Sequence, residues 1–472
     1  MMTVDRKKLI QGVCFAFSFA LLLACPAAML AVGETPAQTL AAWVRILTAP
    51  SNLVTDYFAV GSLSAALLNA GCCGLACALL TLLPGAKMKS NVWSGYFLVI
   101  AHCFYGLNLL SMWFPMLGFA IYCRARGKRV RNHLGVCMFM TAFGPFFSEL
   151  LFRYPLSVSL QFTLGGKQVD ASSLLFCLLL AVFLGFSLPA MMPGALKLHR
   201  GFNLYNGGLA TGLLGLVVYG FMYRTMGVEP PEPAAVPTGS GDCYILFSTV
   251  FFLAIFACCI LCGWRINGKS FHGYGRLIRD NSHQTDFIDK YGPGLTLINL
   301  GLYGLMMLAW FDGVILLTEG AGFDGATFGV SLAAMTFACT GQHPRNVWPI
   351  LAGYACLSLL VTSWCAFSGR ELPWTLSSQG YMNGLAFATG LCPFSGVCGW
   401  PIGLAAGFIS AVICTTTSAM HGGFVLYNGG LTAGITALVL LPLLEMYKKD
   451  KGKPFSTDPQ KLPNPDQSIV VQ

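Results

Sequence analysis

The chain has 472 residues, of which 55% are hydrophobic and only 10% charged, with a formal net charge of +9. Soluble globular proteins carry about 25% charged residues, so water cannot be the main solvent of this chain. Apolar runs of about 20 residues recur along its whole length, the pattern of membrane helices and not of alternating barrel strands.

The first run, Leu9 to about Val32, follows Arg6, Lys7 and Lys8. It is longer than a secretory signal core and is read as the first span. Further apolar segments are predicted at about 57–84, 92–123, 134–152, 172–193 and 206–226. The stretch 92–123 is too long for one crossing and is interrupted at Gly106-Leu107-Asn108, so two short helices meeting at a tip are expected. A stiff acidic connector follows, with Glu229, Pro230, Pro231, Glu232 and Pro233. The second half repeats the plan at about 243–263, 294–318, 325–367 (again broken), 379–398, 400–419 and 424–446. The expected organisation is therefore a first membrane repeat over 1–228, a connector over 229–242, a second repeat over 243–447 and a polar tail over 448–472.

The strongest motif is written twice. His199-Arg200-Gly201-Phe202-Asn203-Leu204-Tyr205-Asn206-Gly207-Gly208-Leu209-Ala210-Thr211-Gly212 returns 222 residues later, from His421 to Gly434, with ten of 14 positions identical. Weaker pairs run in the same order: Asn69-Ala70-Gly71 with Asn299-Leu300-Gly301, Gly106 and Trp113 with Gly341 and Trp348, and Pro145 with Pro393.

Charge orients the halves. With the N-terminus inside, the cytoplasmic stretches hold 22 of the 28 Lys and Arg residues, in groups at 6–8, 87–89, 124–131, 197–200, 265–290 and 448–461. That asymmetry predicts a multi-pass protein of the cytoplasmic membrane with both termini cytoplasmic. The halves then run in opposite directions. The fold expected is an all-α polytopic membrane protein of two inverted-topology repeats, each with about seven apolar segments and a broken or re-entrant hairpin.

The motif chemistry suggests a polar path. Gly207, Gly208, Gly429 and Gly430 free the backbone or admit a close helix. Asn206 and Asn428 offer amides, Tyr205 and Tyr427 hydroxyls, to replace water around a solute. Freed backbone groups at membrane depth are tolerated only inside protein or beside a wet cavity. The alternative is a helix-packing face, with each Asn as an interfacial cap. Asn69 and Asn299 are candidates for interhelical hydrogen bonds or path lining, as are Asn108, His343 and Arg345 at the two tips, where a buried His343 and Arg345 would suit an anion or carbonyl oxygen.

Glu149 and Asp312 lie in or near spans and are coupling candidates, set against interfacial solvation. His199 and His421 precede their spans and are expected at the interface, as caps or in proton handling. Gly263 to Ser270 fits the letter of a phosphate-binding loop but follows a membrane span, not a buried strand, so it is read as a basic loop end. The cysteines scatter through apolar runs as small packing residues. No cofactor, metal or nucleic acid is expected; the lipid bilayer and a small-molecule solute are, and a homo-oligomer is left open.

The Asn69-Ala70-Gly71 segment, the two Leu-Tyr-Asn-Gly-Gly signatures and the duplicated layout resemble a bacterial family of multi-pass membrane proteins of unknown function, over roughly residues 1–447. The resemblance implies a membrane location. The same Leu-Tyr-Asn-Gly-Gly-Leu elements are similar, more weakly, to short elements of urea channels, although no Asn-Pro-x-Ser-Gly element precedes them here. The reading is a secondary transporter or channel for a small polar, neutral or weakly charged solute, with its path between the repeats. The alternatives are an integral membrane enzyme or a membrane assembly factor.

Overall fold

A computed structural model describes residues 5–53, 55–155, 161–231, 242–283, 285–450 and 453–454. Most of the proline-rich connector and of the polar tail lie outside the described residues. Among the described residues, nine helices are long and apolar enough to cross a membrane, and one shorter apolar helix, Gly325–Phe337, joins them. A backbone that satisfies its own hydrogen bonds is what hydrocarbon demands. The protein is an all-α polytopic membrane protein.

The first half contains Arg6–Val32, Leu63–Leu80, Ser90–His102, Trp113–Ala125, the interrupted Leu134–Phe152, Ala171–His199 and Asn206–Tyr219, the last prolonged by a π turn to Thr225. The second contains Asp242–Ile266, Pro293–Leu317, Gly325–Phe337, Pro344–Ser368, Gln379–Ala388 continued through Cys392–Cys398, Trp400–Ala419 and Asn428–Tyr447. Corresponding helices make corresponding contacts: first on second, fourth on sixth, and sixth on seventh in both halves. The fourth and sixth helices approach through small residues. A Cβ on Gly118 would lie 1.8 Å from the Ala181 carbonyl oxygen, and one on Gly353 2.3 Å from that of Leu404. Gly263 to Ile266 finish a helix, and Gly268 and Lys269 turn through φ 71° and 59°, so no strand leads into the phosphate-loop pattern there.

The centre is built from both halves. Ser90–His102 and Gly325–Phe337 form two antiparallel arms. The Trp93 indole donates to the Met335 carbonyl at 3.3 Å and the Ser94 hydroxyl to that of Thr336 at 3.0 Å. The first arm starts beside Asp286, which accepts from the Ser90 hydroxyl. Its tip meets the connector between the first two helices, where Tyr57 N–H donates to the Phe104 carbonyl at 3.2 Å. The second arm is the mirror case. Gly325 N–H donates to Asp56 Oδ1 at 2.9 Å, and Phe287 N–H to the Cys339 carbonyl at 2.8 Å. A 13-residue arm is about 20 Å long, less than a hydrocarbon core of about 30 Å. The connectors therefore reach inward to close the gap, which explains why Ser51, Asn52, Asp56 and Tyr57 are buried.

The two limbs of each broken stretch do not pack side by side as a hairpin would. The first arm packs on the second arm and on Leu134–Phe139, whereas Trp113–Ala125 packs on Ala171–His199. The basic stretches gather at one end of the bundle. Arg6 pairs with Asp286 at 2.8 Å, Lys87 N–H donates to the Arg131 carbonyl, His283 meets the Arg200 carbonyl at 2.9 Å, and Arg200 pairs with Glu445.

Candidate functional site

Each duplicated signature turns the chain from its sixth helix into its seventh. Arg200 (φ 50°) and Gly201 (φ 79°) make the first turn, Gly422 (φ 59°) and Gly423 (φ 75°) the second. Within each turn the histidine is fixed by the asparagine seven residues on. His199 Nε2 lies 3.1 Å from Asn206 Oδ1, and His421 Nε2 lies 3.0 Å from Asn428 Oδ1. The Nδ1 atoms accept from Gly201 and Val425 N–H, each at 3.3 Å, so the proton of a neutral ring sits on Nε2 and is donated to the amide. The amide nitrogens donate back to the preceding helix, at Met192 and Cys414. A solvated surface role for His199 and His421 is corrected: both are fully buried, because the turn folds inward against the other half.

The seventh helices cross where the signatures place paired glycines. A Cβ on Gly208 would lie 2.5 Å from Gly430 Cα, and one on Gly430 2.8 Å from Gly208 Cα. Gly207 is looser, with only Phe139 at 3.9 Å, whereas Gly429 abuts Phe387. Rings from both repeats surround the crossing: Tyr205 with Tyr427, Phe139 with Phe387, and Phe337 with His102. They enclose a cavity of about 10 Å³ lined by Tyr205, Asn206, Gly207, Gly208, Phe337 and Tyr427, among others. That is room for about one water, so the centre is closed.

His102 stands between two backbone carbonyls, Leu98 at 2.6 Å and Leu426 at 3.0 Å. A neutral imidazole donates to one of them; a protonated ring donates to both. The Tyr205 hydroxyl donates to the Ala333 carbonyl at 3.1 Å. In the other repeat the corresponding carbonyl, that of Leu98, is held by His102. The Tyr427 hydroxyl accordingly has no partner among the described residues although it is buried.

From the basic end an invagination of about 190 Å³ runs down to Asn206, lined also by Tyr122, Lys128, His133, Met192 and Pro193. Burial, with the charges of Lys128, Lys89 and Lys87, holds the pKa of His133 below its ordinary value. The repeat-related residues around Asn428 are packed shut. Tyr354 and Cys414 are buried against Gly384, where a Cβ would lie 2.7 Å from Cys414. Trp374 stacks on Tyr381 at 3.7 Å, beside them.

The remaining predicted residues divide. Asn69 and Asn299 brace the broken stretches: each amide donates to two tip carbonyls, Cys103 and Leu107 in one repeat, Ala338 and Gln342 in the other, at 2.8–3.0 Å. They serve as interhelical hydrogen-bonding groups and line none of the cavities above. Asn108 accepts from Leu110 and Ser111 N–H, and its counterpart His343 caps Pro344–Ser368. Arg345 departs from expectation. It is exposed and lines a separate cavity of about 340 Å³ with Arg279, Asp280 and His343, because the first helical turn carries it away from the tip. Glu149, placed near the outer edge by the sequence, is buried, pairing with Arg153 and accepting from the Tyr223 hydroxyl at 2.9 Å. Asp312 is half-buried and accepts from Thr249 at 3.1 Å.

The sequence reading missed Asp56 and Asp324. Both are buried and head short helical starts in the connectors. Burial, reinforced by the Asp56 charge, raises the pKa of Asp324 to about 7. Capping Asp-x-x-Thr at 324–327 is the local signal that could have found one of them.

The sequence model of a protein family described as "Protein of unknown function (DUF1576)" matches residues 35–224 and again residues 266–446. The chain belongs to that family, and the double match coincides with the duplication seen in its motifs. No curated protein and no solved structure matches it.

Proposed function

We propose that the protein is a secondary transporter for a small polar solute, working by alternating access between its two repeats. One observation carries the reading. Two repeat-related approaches lead to the crossing of the signature helices; one reaches Asn206 through an invagination of about 190 Å³, whereas on the side of Asn428 Gly384 abuts Cys414 and Tyr354 directly. Inverted repeats allow the two conformations to exchange by swapping the packing of equivalent elements. The closed centre, with room for about one water, fits a transporter state better than an open channel. The gathering of basic stretches at one end supports a cytoplasmic-membrane location with that end, and both termini, inside. In this reading the conformation is open inward.

The test is uptake into proteoliposomes holding the full chain, screened over small neutral and charged solutes with and without a proton gradient. Uptake that falls at least tenfold in the Asn206→Ala, Asn428→Ala double variant is expected. Undiminished uptake with unaltered selectivity in that variant sinks the path between the signatures.

A further inference from the structure

We infer that the solute carries a carboxylate or like oxyanion group, held at the N-terminus of the Asn206–Tyr219 helix with the Tyr427 hydroxyl; this rests on the transport reading above. Three independent features meet there. The helix starts at the closed centre without a side-chain cap. Among the described residues the backbone N–H groups of Asn206 and Gly207 have no acceptor. Such a terminus directs free donors and the positive end of the helix dipole at whatever enters.

The second feature is the Tyr427 hydroxyl. It is 1% exposed, lines the same cavity and has no partner among the described residues. Its counterpart Tyr205 is satisfied by Ala333, so the two repeats differ at this position. The buried Tyr105 and Tyr303 hydroxyls also lack a partner among the described residues, but neither lines this cavity. A buried hydroxyl without a partner costs about 1–3 kcal/mol, a cost that an acceptor on the solute would remove.

The third is the approach. Asn206 lines both the central cavity and the invagination, and the invagination carries Lys128 and His133 with no acidic residue. Lys128 belongs to the basic stretch Arg124, Arg126, Lys128, Arg129 and Arg131. A cleft of one sign concentrates counter-ions and raises their arrival rate, an effect that salt screens. The apolar partners of the cavity, Leu98, Phe139, Leu204 and Phe337, leave an uncharged wall for the rest of the solute. The chemistry is that of a small monocarboxylate.

The experiment measures radiolabelled acetate uptake into proteoliposomes of the full-length protein, alongside glycerol, urea and methylamine. Acetate uptake is expected, with the half-saturating concentration raised tenfold or more by Tyr427→Phe, the size of one charge-assisted hydrogen bond. Lys128→Met should slow uptake at low ionic strength and lose its effect at high salt. Thermal unfolding of each variant in detergent checks that it is folded, and acetate should raise the melting temperature of the parent more than that of Tyr427→Phe. If glycerol, urea or methylamine enters and acetate neither enters nor shifts melting, the oxyanion inference is overturned while the transport reading stands. If none of the four enters and none shifts melting, both fall.

Discussion

His199 and Asn206 close one turn of the protein by a 3.1 Å contact from Nε2 to Oδ1, and His421 and Asn428 close its repeat at 3.0 Å. Both pairs are buried, and both amides also reach back to the preceding helix. The motif therefore fixes the angle between sixth and seventh helices, and with it the place where the seventh helices cross. Replacing His199 or His421 with Phe leaves a buried amide oxygen without its donor. Each change should destabilise by about 1–3 kcal/mol, read as a lower melting temperature in detergent, with similar losses in the two repeats. A negligible loss in both would remove the clamp.

The crossing itself makes a sharper distinction between neighbouring glycines. A methyl group on Gly208 meets the backbone of Gly430, whereas one on Gly207 has only Phe139 in ordinary contact. Backbone cannot yield as a side-chain tip can. Gly208→Ala and Gly430→Ala should each cost about 1–3 kcal/mol or more through overpacking, with reduced yield of folded protein. Gly207→Ala should fold as the parent does. Equal behaviour of Gly207→Ala and Gly208→Ala by size-exclusion and melting would contradict the close crossing.

Much of this architecture was legible because it is periodic or repeated. Hydropathy marked seven segments in each half, and the paired landmarks put Asn69 opposite Asn299 before any geometry was known. The duplicated signature was visible, but its internal His-to-Asn bond was not: positions seven apart face each other only because the intervening residues leave helical geometry. The same turn hides depth. A polar run ahead of an apolar one looks interfacial, so His199 and His421 were placed at the surface, although the turn folds them into the core. Asp56 and Asp324 escaped for a related reason. They lie in connectors, and connectors look solvated until short arms require them to reach inward. The closure of Tyr354 and of the Trp374–Tyr381 stack has no counterpart in the other repeat, so the duplication could not reveal it.

Asp324 offers a pH test of the inward-reaching connector. Its carboxyl is buried near that of Asp56, which raises its pKa to about 7. A carboxyl whose folded pKa lies above its unfolded value binds protons preferentially in the folded state, so its contribution to stability falls as pH rises from about 4 to about 7. Asp324→Asn keeps an oxygen for the Thr327 N–H cap and removes the charge. It should raise the melting temperature at pH 8 and have little effect at pH 5. A stabilisation of equal size at both pH values would show that the charge is not the cause.

The packed approach to Asn428 can be followed through a native residue. Cys414 is the repeat counterpart of Met192; both are buried, but Met192 lines the open approach whereas Cys414 lies against Gly384 beneath Tyr354. The Trp374–Tyr381 stack lies beside it, and a stacked aromatic pair at 3.7 Å adds about 0.5–1.5 kcal/mol beyond its buried area. Removing one ring should shift the balance of two conformations by roughly tenfold at most, since 1.4 kcal/mol is a factor of ten. In the parent, a small hydrophilic maleimide should leave Cys414 unmodified over the time in which the same residue is fully labelled in the denatured protein. Trp374→Ala should raise the Cys414 labelling rate several-fold in the folded protein, as peptide mass spectrometry can resolve. The rise is expected because the closed approach now opens more often, and a transported solute should change it further. If Cys414 stays inert in Trp374→Ala, with and without solute, the approach around Asn428 is permanent packing and the two repeats do not exchange roles.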